Sequence, residues 1–175
     1  MSSSRRWRWR RRSAAVRRRW PNRPISCAER PGGMTMENRA QTWFDALLAG
    51  RQRWPVYDLL QGELVAWEAG TLVCRYVASE AFANPTGHVQ GGMLAAMLDD
   101  AMGTLAQSPL AAGQFASTLS LTVSFLRPAR PGPVRVEARF VRQGSRILNV
   151  EGQALQDDKP VAQAVAVSLV GQAGG

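Results

Sequence analysis

The sequence GGMLAAMLDDAMGTLA occupies residues 91–106 and is the most informative part of the chain. Its first two turns are apolar on nearly every side, which is typical of a helix buried on most of its faces. Two adjacent carboxylates, Asp99 and Asp100, follow this apolar run, and no Lys or Arg lies within one helical turn of them. A buried carboxylate is costly unless it is paired or hydrogen-bonded. The pattern therefore predicts a long buried helix in which at least one carboxylate has a specific use.

Asp99 and Asp100 cannot lie on the same face of this helix, because consecutive residues are about 100° apart around a helix axis. Asp99 shares its face with Ala95, Ala96 and Met102. Two structural interpretations stay open from the residues alone. The pair could be solvated near a helix end, or a carboxylate could hydrogen-bond to a neighbouring loop.

The pair Gly91-Gly92 is expected at the amino end of the same helix. Free N–H groups and the helix dipole can polarise a carbonyl oxygen there, and glycine lets a substrate approach the backbone. A plain turn is the alternative. Gly91 and Asp99 are separated by about 12 Å along a helix, too far for both to act on one carbonyl. A dimer would solve this by setting the helix start of one chain against the aspartate of the other.

Four runs of β-type composition follow the helix, at residues 117–126, 134–142, 146–156 and 160–170. Turn sequences separate these runs, and their spacing predicts an antiparallel meander. Before the helix, residues 59–67 and 71–77 predict a hairpin, and residues 37–48 carry apolar side chains at helical spacing. The predicted fold class is α+β, with one long central helix wrapped by a five- or six-stranded antiparallel sheet.

The net charge of +9 is unevenly distributed. Residues 1–35 contain 11 arginines and one glutamate, whereas the rest of the chain contains 11 basic and 12 acidic side chains. We expect residues 36–175 to form a single, nearly neutral domain. Residues 1–35 are expected to be a disordered leader or the product of a mis-assigned start, with residues 1–33 packed against nothing. The alternative is a basic Arg/Trp arm that binds nucleic acid, with steeply salt-dependent affinity.

Composition excludes several classes of site. Cys27 and Cys74 lie far apart and His88 is the single histidine, so the usual zinc spacings and any disulfide framework are ruled out. A Ser-His-Asp or Cys-His nucleophile would have to use His88. No stretch approaches the roughly 18 to 20 apolar residues that span a bilayer. We expect a cytoplasmic protein without a metal, a nucleic-acid partner or a membrane partner.

One block of residues supports a family resemblance. Asn84, Pro85, Gly87, Gln90-Gly91-Gly92 and Asp99, followed by Ser124-Phe125-Leu126-Arg127-Pro128, resemble the hotdog-fold acyl-CoA thioesterases of the phenylacetate-pathway (PaaI-like) type. The similarity covers residues 40–171 in the order of elements, and the leader has no counterpart in it. The resemblance implies a hotdog subunit that dimerises through its sheet or forms tetramers, with active sites in clefts between subunits.

The resemblance also implies roles for individual residues. Asp99 would act as the nucleophile or as the general base for water, and Asn84 would orient the thioester or the water. The Gly91 N–H would donate to the oxyanion, and Thr118 would position the water or Asp99. Where the family commonly has His, this chain has Gln90, which can donate a hydrogen bond but cannot shuttle a proton near neutral pH. His88 is interpreted as a loop residue.

The substrate implied is acyl-CoA, so coenzyme A enters as part of the substrate and no separate cofactor is expected. Its phosphates need cations at the mouth of the cleft, and the candidates are Arg127, Arg142 and Arg146, with Ser145 in a turn that could meet pantetheine or phosphate. An acyl-CoA or acyl-carrier binding module without chemistry is the main alternative. A hotdog dehydratase is a weaker one, because it would need a catalytic His, and His88 is poorly placed.

Overall fold

The computed structural model describes residues 43–50, 53–68 and 70–172. The expectation for the leader, residues 1–35, lies outside the described residues, as does the first part of the predicted helix over 37–48. The described part of that helix is α1 (Trp43–Leu48). A second short helix, α2 (Pro55–Leu59), was missed by the sequence analysis, which placed the start of a strand at residue 59. Its signal is the proline at the first helical position, where the missing N–H removes no hydrogen bond.

The predicted α+β architecture is confirmed. The strands are β1 (Glu63–Glu68), β2 (Thr71–Ala78), β3 (Gln114–Phe125), β4 (Gly132–Gln143), β5 (Ile147–Gln156) and β6 (Lys159–Gln172). They form one six-stranded antiparallel sheet in the order β1-β2-β4-β5-β6-β3. A 3₁₀ turn, Glu80–Phe82, and a loop lead from β2 into the long helix α3 (Gly91–Gln107).

The prediction of a meander of four consecutive strands is wrong in one respect. β4, β5 and β6 form a meander, but β3 pairs with β6 at the sheet edge and β4 pairs with β2. The link between β3 and β4 is not a tight turn, because Pro128 and Pro131 lie in it and its buried residue Ala129 accepts a hydrogen bond from Val89 N–H at 2.8 Å. The chain therefore returns past the start of α3 to reach the middle of the sheet.

Helix α3 lies against the sheet and is buried along most of its length, as predicted. Its buried residues are Leu94, Met97, Leu98, Ala101, Met102, Thr104, Leu105 and Ala106. Helix and sheet approach each other closely at Gly152 on β5, where a Cβ would lie 2.8 Å from the Met102 sulfur and 3.3 Å from a Leu98 methyl carbon. Because glycine has no side chain, the helix can pack directly against the strand at this position.

A β-bulge determines which side chains of β3 face α3. Leu119 is an extra residue in β3 with no counterpart on β6. Before it, Ala116 packs against the core and Thr118 contacts Asp99 on the helix. After it, Leu121 and Val123 pack against the core. The extra residue shifts the inward-facing positions from even to odd numbers. Bulges of this kind re-aim side chains and are common beside active sites.

Candidate active site

Asp99 is a partly exposed carboxylate on the face of α3 that meets β3. Its Oδ1 accepts a hydrogen bond from Thr118 Oγ1 at 3.1 Å. Among the described ion pairs none involves Asp99. The side chain is therefore oriented by a neutral hydroxyl while its second oxygen stays available to a water molecule or a substrate carbonyl.

Asp100 points to the other side of the helix and has a different environment. Its Oδ1 accepts a hydrogen bond from Trp54 Nε1 at 2.8 Å, and its Oδ2 accepts one from Tyr76 Oη at 2.7 Å. Burial raises the pKa of Asp100, an effect that the hydrogen bonds from Tyr76 and Trp54 only partly oppose. Of the two structural interpretations of the pair, that of a hydrogen-bonded carboxylate applies to Asp100. Its two hydrogen bonds link α3 to β2 and to the segment before α2.

The start of α3 presents unused donors. Gln90 is the N-cap residue, and within the described part of the chain its side chain makes no hydrogen bond with another residue. The N–H groups of Gly91 and Gly92 have no acceptor among the described residues, because the first N–H groups of a helix lack partners within it. Gln90 and Gly92 are exposed and Gly91 is partly exposed. This end of the helix can therefore donate hydrogen bonds to an oxygen that develops negative charge.

Phe125 covers one side of Gly91, a contact that the sequence analysis did not foresee. A Cβ on Gly91 would lie 2.9 Å from Cζ of the Phe125 ring, and Phe125 is 55% exposed. An oxygen bound at the Gly91 N–H would therefore lie close to an exposed aromatic surface. The sequence signal for this contact is the strand end at residues 124–128, to which Phe125 belongs.

Asn84 belongs to a short loop that leads directly into α3. Its Oδ1 accepts hydrogen bonds from Thr86 N–H at 2.9 Å, Thr86 Oγ1 at 2.7 Å and His88 N–H at 3.2 Å. An isolated bridge between Ala83 and Val89 closes this loop. The side chain thus has a fixed orientation beside the amino end of the helix. His88 is a loop residue, as interpreted from the sequence.

One chain does not bring the predicted catalytic residues together. Gly91 and Asp99 lie on the same helix, more than two turns apart, and Asn84 and Gln90 lie with Gly91 at its start. Thr118 lies with Asp99. The predicted residues thus fall into two separate groups, named here the carboxylate half-site (Asp99, Thr118) and the donor half-site (Asn84, Gln90, Gly91). This is the separation for which a dimeric site was expected.

The candidate phosphate-binding residues also separate into two groups. Arg127 Nη1 donates to the Pro160 carbonyl at 2.7 Å, at the start of β6. The Arg146 carbonyl accepts a hydrogen bond from Val170 N–H at 2.8 Å, near the end of the same strand. Ten residues of strand correspond to about 33 Å. Arg142 and Ser145 lie in or beside the β4–β5 turn with Arg146. Within one chain Arg127 therefore cannot share a phosphate with the other three.

No group of three or more His, Cys, Asp or Glu side chains could hold a metal ion in the part of the chain that the structure describes. None of the helices there is long and apolar enough to cross a membrane.

The comparisons with known proteins identify the family. The sequence model of the thioesterase superfamily matches residues 86–163, which include the start of α3, Asp99 and Thr118. A phenylacetic acid degradation-related protein of Ralstonia eutropha JMP134, assigned provisionally as a thioesterase, is 45% identical, with a TM-score of 0.71 over 73% of this chain and 98% of that one. No curated protein matches the chain by sequence.

Two further solved structures are similar. The conserved protein PA5202 of Pseudomonas aeruginosa is 26% identical, with a TM-score of 0.63 over 67% of this chain and 94% of that one. A thioesterase of Haemophilus influenzae is 18% identical, with a TM-score of 0.65 over 82% and 95%, and shows the fold alone. Because the Ralstonia protein is matched over nearly its whole length and the sheet and long helix are those of the hotdog fold, the chain belongs to the thioesterase superfamily and is a thioester hydrolase.

Proposed function

We propose that the protein hydrolyses acyl-CoA thioesters to a free acid and coenzyme A, at sites that two subunits build together. The observation that carries this proposal is the environment of Asp99. It is a partly exposed carboxylate on a helix that is largely buried, it is oriented by Thr118, and it has no ion-pair partner among the described residues. Such a group is free to act on a water molecule or on a carbonyl carbon.

The reaction follows from the two half-sites. Asp99 takes a proton from a water molecule that attacks the thioester carbon, or its carboxylate attacks that carbon itself. The carbonyl oxygen becomes an oxyanion, to which the Gly91 N–H and the Gln90 side-chain amide donate. The C–S bond then breaks, and on the water route the coenzyme A thiolate leaves with the proton that Asp99 took from the water. On the nucleophile route the carboxylate is left as a mixed anhydride with the acyl group. A water molecule then hydrolyses this anhydride, which releases the acid, regenerates Asp99 and supplies the proton for the thiolate. Gln90 exchanges no proton near neutral pH, so the acid–base work falls to Asp99.

The exposed edge of β3 supports assembly of two copies. β3 has 12 residues and pairs on one side only, and Leu119, Phe125 and Leu126 at this edge are exposed apolar side chains. A long apolar edge strand is a template for pairing with another strand. A second copy of β3 added antiparallel would extend the sheet and set the two α3 helices antiparallel. The carboxylate half-site of one subunit would then lie towards the donor half-site of the other.

The proposal is tested by measuring thiol release from a panel of acyl-CoA substrates with short, medium, long and aromatic acyl groups. Aromatic esters belong in the panel because the Ralstonia relative is described as related to phenylacetic acid degradation. We expect turnover of at least one ester by the wild type and a large loss in Asp99→Asn.

The matched control is Asp100→Asn, which changes the neighbouring carboxylate in the same way and is expected to keep activity. Unchanged turnover in Asp99→Asn would contradict the mechanism even if hydrolysis were found. Binding of acyl-CoA without any thiol release would favour a binding module.

A further inference from the structure

The Asn84 loop fixes which end of the Asn84 amide faces outwards. Two backbone N–H groups, those of Thr86 and His88, point at the same side-chain atom of Asn84. A backbone N–H can only donate, so that atom is the carbonyl oxygen Oδ1. Oδ1 also accepts the Thr86 hydroxyl proton and is then engaged in three hydrogen bonds. The amide nitrogen Nδ2 donates to no other residue in the described part of the chain.

Thr86 connects Asn84 to His88. The Thr86 hydroxyl has one proton, and this proton is used in the bond to Asn84 Oδ1 because an amide oxygen cannot donate. The contact of 3.0 Å between Thr86 Oγ1 and His88 Nδ1 must therefore have its proton on the histidine nitrogen. His88 Nδ1–H donates to Thr86 Oγ1, which in turn donates to Asn84 Oδ1.

We propose that Thr86 and His88 are positioning residues that hold Asn84 as a hydrogen-bond donor to the substrate carbonyl oxygen. This inference deepens the proposed function and rests on it. With Oδ1 turned into the loop, Asn84 offers its substrate two N–H groups and no free acceptor. Asn84 therefore does not orient an attacking water by accepting a hydrogen bond from it, and that task stays with Asp99 and Thr118.

The same loop places this donor in the half-site of Gly91. Besides the bridge between Ala83 and Val89, Gln90 N–H donates to the Phe82 carbonyl at 2.8 Å, and Asn84 N–H donates to the His88 carbonyl at 2.7 Å. These bonds join residues 82–84 to residues 88–90, the two arms of the loop immediately before Gly91. Asn84 Nδ2 and the Gly91 N–H therefore belong to one rigid unit of one subunit.

Conservative pairs of variants separate positioning from simple loop stability. Asn84→Asp keeps an oxygen at Oδ1 but replaces the donor, and we expect its kcat to fall by about 100-fold, as for the loss of an oxyanion donor. Thr86→Val and His88→Leu break the relay, and we expect kcat to fall by about fivefold, the value of one ordinary hydrogen bond. Thr86→Ser restores the hydroxyl and His88→Asn restores an N–H near the position of Nδ1, so both should retain activity.

Binding provides a readout that does not depend on turnover. An acyl-CoA analogue with a methylene group in place of the thioester sulfur keeps the carbonyl oxygen and cannot be hydrolysed. Its affinity, measured by calorimetry, should follow the same order: wild type, Thr86→Ser and His88→Asn strong, Thr86→Val and His88→Leu weaker, Asn84→Asp weakest. If the affinities of the wild type and its variants for this ketone follow that order but the wild type hydrolyses no ester, the proposed function fails and the inference stands.

The inference is overturned if Thr86→Val and Thr86→Ser behave alike, if Asn84→Asp binds the ketone as well as the wild type does, or if the wild type does not bind the ketone. Melting curves of all variants accompany the measurements. A loss of affinity that follows the melting temperature, and not the presence of the relay groups, also counts against it.

Discussion

Asp99 and Asp100 are consecutive residues of α3, yet their carboxylates lie in different environments. Asp99 accepts one hydrogen bond, from Thr118 on the edge strand β3. Asp100 accepts two, from Trp54 and from the fully buried Tyr76. The angle of about 100° between successive helical residues is enough to put one carboxylate in the candidate active site and the other among structural contacts. The two aspartates therefore provide each other's control in mutagenesis.

Substitution of Asp100 should affect stability in a way that depends on the replacement. In Asp100→Ala the hydrogen bonds from the Trp54 N–H and the Tyr76 O–H lose their acceptor, and we expect the free energy of unfolding to fall by about 2–5 kcal/mol, from the two lost bonds to a partly buried and a fully buried donor and from the lost packing. In Asp100→Asn the amide oxygen can still accept from Trp54, and the amide nitrogen can donate to the Tyr76 oxygen. Denaturant unfolding should therefore show Asp100→Asn close to the wild type. Equal losses in both variants would contradict this account.

The pH dependence of stability should also distinguish these proteins. Burial raises the pKa of Asp100 in the folded state above its ordinary value of 3.8. Between the ordinary value and the raised one, the folded protein binds more protons than the unfolded chain, so this group makes the protein more stable as pH falls through that window. Asp100→Asn lacks the titration. The difference in the free energy of unfolding, wild type minus Asp100→Asn, should rise as pH is lowered and should be constant well above the window.

The sequence predicted much of this arrangement because local signals determined it. The apolar residues 91–98 predicted the buried helix, and the spacing of Gly91 and Asp99 predicted that the site would be divided. The strand order could not be predicted, because the pairing of β3 with β6 depends on the edge of the sheet at which the chain leaves α3. The position of Phe125 over Gly91 depends on the bulge at Leu119, which only the long-range register shows.

Gly91→Pro tests the backbone donor directly. Gly91 is the first residue of α3, where proline is favoured, and Gln90 before it has the extended conformation that precedes proline well (φ −60°, ψ 132°). The substitution removes the N–H with little expected change to the helix. We expect kcat to fall by about 100- to 1,000-fold.

Two alanine variants control for the added side chain. Gly91→Ala keeps the N–H but places a methyl group against the Phe125 ring, and Gly92→Ala meets nothing within 4 Å. Activity should fall moderately in the first and stay near the wild-type value in the second. A kcat of Gly91→Pro equal to that of Gly91→Ala would assign the loss to Phe125 rather than to the N–H.

Two glycines, one buried on β5 and one partly exposed on α3, should respond oppositely to alanine. Gly152→Ala would put a Cβ 2.8 Å from the Met102 sulfur, and we expect the free energy of unfolding to fall by about 1–3 kcal/mol, as for other overpacked cores. Gly103 lies in α3 with nothing within 4 Å of its Cβ position, and alanine there should stabilise by up to about 1 kcal/mol, because glycine is a poor helix former. Urea titration of both variants measures the contrast. A stabilising Gly152→Ala would mean that α3 does not rest on β5 as closely as described.

Division of the site between two subunits predicts complementation. Asp99→Asn damages the carboxylate half-site and Gly91→Pro the donor half-site. In a heterodimer of these two chains, one site has both lesions and the other has neither, so we expect about half of the wild-type activity per dimer. Co-expression with two different affinity tags isolates the heterodimer from its inactive parents. Asn84→Asp should complement Asp99→Asn in the same way but should not complement Gly91→Pro, because Asn84 and Gly91 belong to one rigid unit. A heterodimer no more active than its parents would show that each site is built from a single chain.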